Sequence, residues 1–568
     1  MRITKKTLWD KIKESRDYVK SKYTPLQFST TIQDEYGLTC YYPDKYWISK
    51  ILTQDTVRKI QPYSSTFICS QTGTGKTTFI FECCLPVALK KHKKILYLCN
   101  RSALVTQIKD IAIKDDLNKY EKLERRTVGQ IPNYYTKEGI NDLTNFGGIE
   151  IYTYHRFLSE CNDMDFKKYA FVIMDEAHFY ISDATFYVFT EKILDLLLEK
   201  TYNIPKIYLS ATPDESFDSI WKKEKDFTRN KHYGCYPKMD VYVMDEDYSY
   251  LNPYFFDDTN WLIEKIKNSS KADNWLIFIR DKKTGKHIKR KLEEKNDKII
   301  FITADTSNDD EIYSELLVSQ QMPKPIIIST KVLDVGISIN TSNLHMVIFD
   351  DNIVEIKQMV GRKRIRDNEK LDIYFFVPYL NELRKRCGNI KRQIEIENKI
   401  IKNALYTKYI DDISHPVYLE EGKVKYNHFS EKKLRTDMFN YIRLINELET
   451  CETKEDYMKH YSEILLKNFP KTQYRDTMLC IEDNSEDEAA KIRSIVNNCL
   501  GNTMNKEQFD SFSEEIGKIE DSRKRTKDRN CMGSNSLNKV LNKYGYEVQS
   551  LNSTPTTYKV IQISKGEN

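Results

Sequence analysis

The sequence predicts an α/β chain built around two tandem parallel-sheet domains. Three observations lead there. Short apolar strands alternate with amphipathic helical stretches from Thr66 to Ser210, the alternation resumes from Trp275 to Val377, and a glycine-rich loop sits where the first strand ends. Strands spaced by helices pair in parallel with helices on both faces. Two such runs imply two domains of this kind.

The elements follow in chain order. Residues 1–60 read as an N-terminal helical segment with a turn at Tyr42–Pro43. The first α/β domain, 61–250, has candidate strands at Thr66–Cys69, Ile95–Cys99, Ile149–Thr153, Phe171–Asp175 and Ile207–Ser210. A less regular stretch covers 213–270. The second domain, 251–385, has strands at Trp275–Ile279, Lys298–Ile302, Pro325–Ser329, His345–Asp350 and Leu371–Val377. Residues 386–515 turn helical and charged, with an exposed acidic stretch at Glu482–Glu488. The last segment, 516–568, is a small basic module. A helix near Ser536–Tyr544 precedes two strand-like runs, Glu547–Leu551 and Thr557–Ser564, joined by a turn at Asn552–Pro555. Helix followed by hairpin is the closing half of a winged helix, which lays its helix on a duplex. A small α/β cap packed on the rest of the chain is the plainer alternative.

Composition bounds the reading. At 568 residues the chain has room for roughly three to four domains. Hydrophobic residues at 40% are enough to bury several cores. The 89 basic residues against 84 acidic give only +5, so partners must be argued from local patches. No run of 18 apolar residues predicts a membrane span, and the N-terminus lacks the apolar stretch of a signal peptide, so a cytoplasmic location is expected. Twelve cysteines include no Cys-x-x-Cys pair and read as reduced, packed thiols.

Residues 66–78, TFICSQTGTGKTT, form strand, loop and helix start. Gly73 and Gly75 let the backbone of Thr72–Gly75 curl so that its N–H groups face phosphates. Lys76 brings a positive charge to the β- and γ-phosphates, Thr77 a hydroxyl for magnesium, and Thr78 is a further candidate nucleotide contact at the helix start. The loop lacks the first glycine of the general phosphate-binding pattern, and alone it would pass for a turn before a helix. A second site decides. In VIMDEAH, residues 172–178, an apolar strand delivers Asp175 and Glu176 at its C-terminal end, where ligands bind in parallel sheets. Asp175 is placed to hold magnesium with Thr77, and Glu176 to polarise the attacking water. His178 can link the γ-phosphate region to the facing domain.

SQTGTGKTT and DEAH resemble motifs I and II of the superfamily 2 helicases, which have two RecA-like domains. The likeness continues in the family's order: LCNRSALVTQ at 98–107, IYTYHRF at 151–157, LSATP at 209–213, WLIFIRDKKTGKHI at 275–288, ISTKVLDVGISI at 328–339 with Gly336 at its centre, and QMVGRKRIR at 358–366. The resemblance covers about residues 60–380. It implies ATP and Mg2+ as cofactors and a cleft between the domains, with Gln358 and Arg362 of the last motif facing the nucleotide. The family's second arginine would fall on Ile365; Arg364 and Arg366 flank it, and Arg366 is the second choice after Arg362. A glutamine-based adenine-reading motif before the phosphate loop is missing.

Members of the family grip the nucleic-acid backbone from strand ends, chiefly through phosphates. The resemblance places Arg101, Thr153, His155 and Arg156 there in the first domain, and Arg280, Lys282 and Thr330 in the second. Between Arg280 and Lys298 nine Lys/Arg face four Asp/Glu, which reads equally as contact or as a solvated helix face. The expected function is an ATP-dependent helicase or translocase, with DNA favoured over RNA. The alternative is a nucleic-acid-stimulated ATPase switch that binds duplexes without unwinding them. The helical C-terminal region is a candidate surface for protein partners.

Overall fold

The computed structural model describes residues 37–43, 47–100, 144–213, 216–231, 238–293, 299–303, 319–333, 338–366, 368–402, 417–420, 423–473, 485–520, 534–542, 546–551 and 557–562, with shorter pieces between them. The expected tandem parallel sheets are both present.

The first sheet is built from β1 (Ser29–Thr30), β2 (Leu38–Tyr41), β3 (Ser64–Cys69), β4 (Lys94–Cys99), β5 (Asn145–Phe146), β6 (Ile149–Thr153), β7 (Tyr169–Met174), β8 (Lys206–Ser210) and β9 (Lys238–Val243). Its order is β1-β2-β9-β3-β8-β7-β4-β6-β5. Only the outermost pairs, β1 with β2 and β5 with β6, are antiparallel. Successive side chains point to opposite faces, so β3 sends Phe67 and Cys69 into one core and Ile68 into the other. Strand β4 does the same with Leu96 and Leu98 against Ile95 and Tyr97. This two-sided burial explains why the strands read as apolar runs without alternation.

Residues 251–378 form the second sheet from β10 (Leu251–Phe256), β11 (Asn274–Phe278), β12 (Ile299–Ile302), β13 (Ile326–Ser329), β14 (Leu344–Ile348) and β15 (Leu371–Phe376). These six run parallel in the order β12-β13-β11-β14-β15-β10, and a two-residue seventh strand that begins at Leu479 follows β10 at the edge.

Three expectations change. The 1–60 segment is not wholly helical: Leu38–Tyr41 pairs in parallel with β9, and Leu38 and Cys40 are buried on one face of the strand. The irregular stretch 213–270 supplies β9 and β10, which seat partly exposed polar residues between buried apolar ones. The region 386–515 also holds a hairpin, Val417–Glu420 with Lys423–Tyr426.

One long helix of that region, His428–Leu448, joins both sheet domains. Asn427, capping the His428–Leu448 helix, donates from Nδ2 to Thr190 Oγ1 at 3.1 Å, and the His428 N–H donates to Glu191 Oε2 at 2.6 Å. Farther along the same helix, the Tyr441 hydroxyl donates to Asp351 Oδ1 at 2.9 Å in the second domain.

A separate compact unit comprises 480–568 with 379–382. Its elements are Ser485–Cys499, Thr503–Asn505, Lys506–Glu520, Ser534–Leu541, Tyr546–Ser550 and Thr557–Gln562. They run helix, strand, helix, helix, strand, strand, with Thr557–Gln562 central in an antiparallel sheet. That is a winged-helix-like arrangement, and it begins near 485, well before 516. The basic cluster at 523–529 lies outside the described residues.

Candidate functional site

Strands β3, β8 and β7 are neighbours, so the segments after them meet at one end of the sheet. Beyond β3 the Ser70 N–H donates to Ser210 O at 3.0 Å, tying the loop to β8. Gly73 and Gly75 have φ of +89° and +84°, a left-handed backbone that glycine adopts without strain. Thr74 is buried and its hydroxyl donates to Gln71 O at 2.8 Å, holding the curl. Lys76 and Thr77 then open the helix, where the first N–H groups have no partner within the helix itself. Trp47 covers the other side; a Cβ on Gly75 would stand 2.8 Å from its ring.

At the end of β7 the Asp175 N–H donates to Leu98 O at 2.8 Å. Tyr97 Oη donates to Asp175 Oδ2 at 2.6 Å, and the Glu176 N–H to Oδ1 at 2.9 Å. Burial, with the Glu176 charge beside it, pushes the Asp175 carboxyl up to about 6. Burial also raises Glu176, but Lys76, His178 and Arg362 outweigh it and hold that carboxyl below its usual range. Glu176 has φ +52°, which a β-carbon resists. Such strain is one way in which a scaffold fixes a side chain. Its Oε2 and the Ser70 hydroxyl are buried without hydrogen-bond partners. Orphaned polar atoms of this kind fit a phosphate and the waters around it.

Among the described residues there is no cluster of three His, Cys, Asp or Glu side chains able to hold a metal. A site with a single carboxylate, Asp175, suits magnesium, which keeps waters and takes its other ligands from phosphates.

His178 is buried, which lowers its pKa against the pull of the Glu176 charge. Its Nδ1 lies 3.4 Å from Glu176 Oε2 and 3.5 Å from Ser210 Oγ. Ser210 Oγ accepts from the Thr212 N–H at 3.1 Å, and Thr212 Oγ1 accepts from Gln358 Nε2 of the second domain at 3.4 Å. A polar chain thus runs from the carboxylate across the cleft.

Asn352 caps the Ile353–Val360 helix, which carries the second domain's contribution. At its end Gly361 packs on Thr72, and Arg362 is buried, donating from Nε and Nη2 to Gln358 O and Oε1 at 2.9 and 3.2 Å. Arg364 donates from Nε to Ser338 Oγ at 2.9 Å and holds Nη1 3.2 Å from where a Gly73 Cβ would be. Arg366 is exposed, with its guanidinium 3.4 Å from Asn340 O. Of the two arginines flanking Ile365, Arg364 is the one over the phosphate loop. The segment after Gly361 bridges in parallel to Ile339, and in extended chain alternate residues share a face, which pairs 362 with 364.

Sequence reasoning also missed Gln71. Its amide donates to Asp247 O at 2.9 Å and accepts from Asp247 N at 2.8 Å, fastening the phosphate loop to the segment joining the two sheets. Lys357 holds the same segment through Glu246 at 3.0 Å.

The strand-end residues divide. Thr153 caps the Tyr154–Glu160 helix, Arg156 pairs with Glu160 at 2.7 Å, and His155 is exposed against Tyr187. Lys282 is exposed, and Thr330 is half-buried beside β13. Arg280 is engaged by Asp351 and by the Tyr441 hydroxyl, so it docks the helical region onto the second domain. Arg101 and Gly336 lie outside the described residues.

The family description "DEAD/DEAH box helicase" matches residues 51–220, the part that holds the phosphate loop, DEAH and LSATP. Three solved structures resemble the chain. Saccharomyces cerevisiae Dbp5 bound to RNA and ADP BeF3 is 16% identical, over 57% of this chain and 82% of that one, with a TM-score of 0.41. Mycobacterium smegmatis helicase Lhr bound to ssDNA and AMP-PNP is 12% identical, over 76% and 53%, at 0.40. The DUF1998 helicase MrfA bound to DNA is 17% identical, over 57% and 46%, at 0.37. No curated protein matches.

Proposed function

We propose that this chain, which carries a DEAD/DEAH box helicase domain at its N-terminal half, is an ATP-dependent superfamily 2 helicase or translocase acting on DNA. The observation that carries the reading is the cleft. Gly361, Arg362 and Arg364 of the second sheet domain meet Thr72, Gly73 and Glu176 of the first.

The chemistry follows from those positions. The loop N–H groups and Lys76 hold the β- and γ-phosphates, and Thr77 and Asp175 would hold a magnesium ion, which would neutralise their charge. Water attacks the γ-phosphorus in line, the bond to the bridging oxygen breaks toward ADP, and Glu176 takes the proton of the water. Lys76 and Arg362 keep Glu176 in the ionised form, the only form of a carboxyl that can accept a proton. Arg362 and Arg364 face the oxygens on which charge grows, so they act only when the cleft is closed. His178, Ser210, Thr212 and Gln358 link hydrolysis to movement of the second domain.

Thr153, His155, Arg156, Lys282 and Thr330 form the backbone-gripping face, and the winged-helix-like unit adds duplex contact. Among the described residues no helix is long and apolar enough to cross a membrane.

The test is ATPase turnover titrated with single- and double-stranded DNA and RNA, beside strand displacement. Stimulation by DNA with displacement supports the reading. Stimulation by RNA alone overturns the DNA assignment, and stimulation without displacement leaves a switch.

A further inference from the structure

Among the described residues, Phe186 is the most exposed of the large apolar side chains, at 71%. It lies in the turn after the Phe179–Ser182 helix, ten residues beyond Glu176, where the Phe186 N–H donates to Asp183 O at 2.9 Å. Leaving a phenyl ring in water forgoes much of its burial free energy, so its position needs a reason. Its chain neighbour Tyr187 has its ring 3.9 Å from that of His155, the exposed residue just past β6. Aromatic surface therefore continues from the proposed nucleic-acid face toward Phe186.

Phe186 opens onto a cavity of about 380 Å³ between the strand ends of the second domain and the helices after residue 380. The lining includes the amides of Asn352, Gln393 and Asn440 with Leu444 and Arg443, and Asn352 Oδ1 is taken by the Val354 N–H, so that amide offers only its donor. Two carboxylates reach it, and both are paired: Asp351 by Arg280 and Arg386, and Asp437 by Lys433 at 2.8 Å. The lining therefore does not repel a polyanion. A side-chain amide can both donate and accept, and Asn352 keeps its donor, so the group can meet the edge of a base, and an aromatic ring supplies a stacking face. The volume is near the lower end for ligand sites, enough for one base and its sugar.

We propose that this cavity receives one unstacked base of a single strand crossing the two sheet domains, with Phe186 as its stacking platform and the three amides against its edge. The inference rests on the reading of the chain as a nucleic-acid motor.

The test measures binding of the full chain to labelled single-stranded DNA and RNA dodecamers by fluorescence anisotropy, with a non-hydrolysable ATP analogue. Each dodecamer is used intact and with a central run of abasic sites. Base stacking of the usual strength predicts that Phe186→Ala weakens intact dodecamer binding about ten-fold and that Phe186→Trp restores it. The abasic strand should bind the unaltered protein about ten-fold more weakly, with no further loss in Phe186→Ala. Asn440→Ala, on an exposed side chain, should reduce the difference between intact and abasic strands. The strand type that shows this coupling identifies the ligand as DNA or RNA. Intact binding unchanged in Phe186→Ala, or losses that simply multiply, would overturn the pocket while leaving the motor reading standing. If the unaltered protein binds neither strand, both fall together.

Discussion

Gly361 of the second sheet domain stands so close to Thr72 of the phosphate loop that a Cβ on it would lie 2.6 Å from the threonine side chain. Only glycine permits that approach. Gly361→Ala should hold the cleft open by a fraction of an ångström to an ångström, and such misplacement can cost about 100-fold in rate. Turnover should fall with the melting temperature unchanged. A variant with normal kcat would mean that the working cleft closes in some other way.

Arg364 reaches the phosphate loop and Arg366 faces solvent. Arg364→Ala should lower nucleic-acid-stimulated turnover severely, toward the roughly 1000-fold of an arginine finger. Arg366→Ala should cost at most a few-fold. Steady-state ATPase of both variants decides it, and the reverse order would put the catalytic cation on Arg366.

Glu176→Gln keeps the size of the side chain but cannot accept a proton at the rate needed. Hydrolysis should drop by about 100-fold or more, while a fluorescent ATP analogue still binds. Equal loss of binding and turnover would make Glu176 a structural residue.

Glu397 is buried between Tyr426 and Ser430, and burial pushes its carboxyl up to about 7. A raised folded pKa means that the folded state holds the proton more tightly. The contribution is present in full below the ordinary value of 4.5 and is lost as pH rises through about 7. Glu397→Gln should therefore melt higher than the unaltered chain at pH 8, and the gap should close near pH 5. Parallel melting curves at the two pH values would show that Glu397 does not titrate in this way.

What could be read beforehand was what local sequence dictates. Strands buried on both faces show as apolar runs, Gly73 and Gly75 mark their loop by backbone conformation, and Lys76 marks it by its charge. Strands β9 and β10 escaped because polar residues sit between their buried ones, so the runs break up. Gln71 escaped because its partner, Asp247, is 176 residues away and offers only main chain. Arg280 looked like a phosphate contact from its strand-end place, but its partners Asp351 and Tyr441 come together only in the folded chain.

The central claim is that ATP is hydrolysed between the two sheet domains, and Arg362 tests it most directly. It belongs to the second domain, yet its charge helps to hold Glu176 of the first below the usual carboxylate range. Arg362→Ala should cut nucleic-acid-stimulated ATPase about 1000-fold, with much less loss of nucleotide affinity, since the guanidinium acts on charge that grows during the reaction. Full stimulated turnover in that variant would contradict the account.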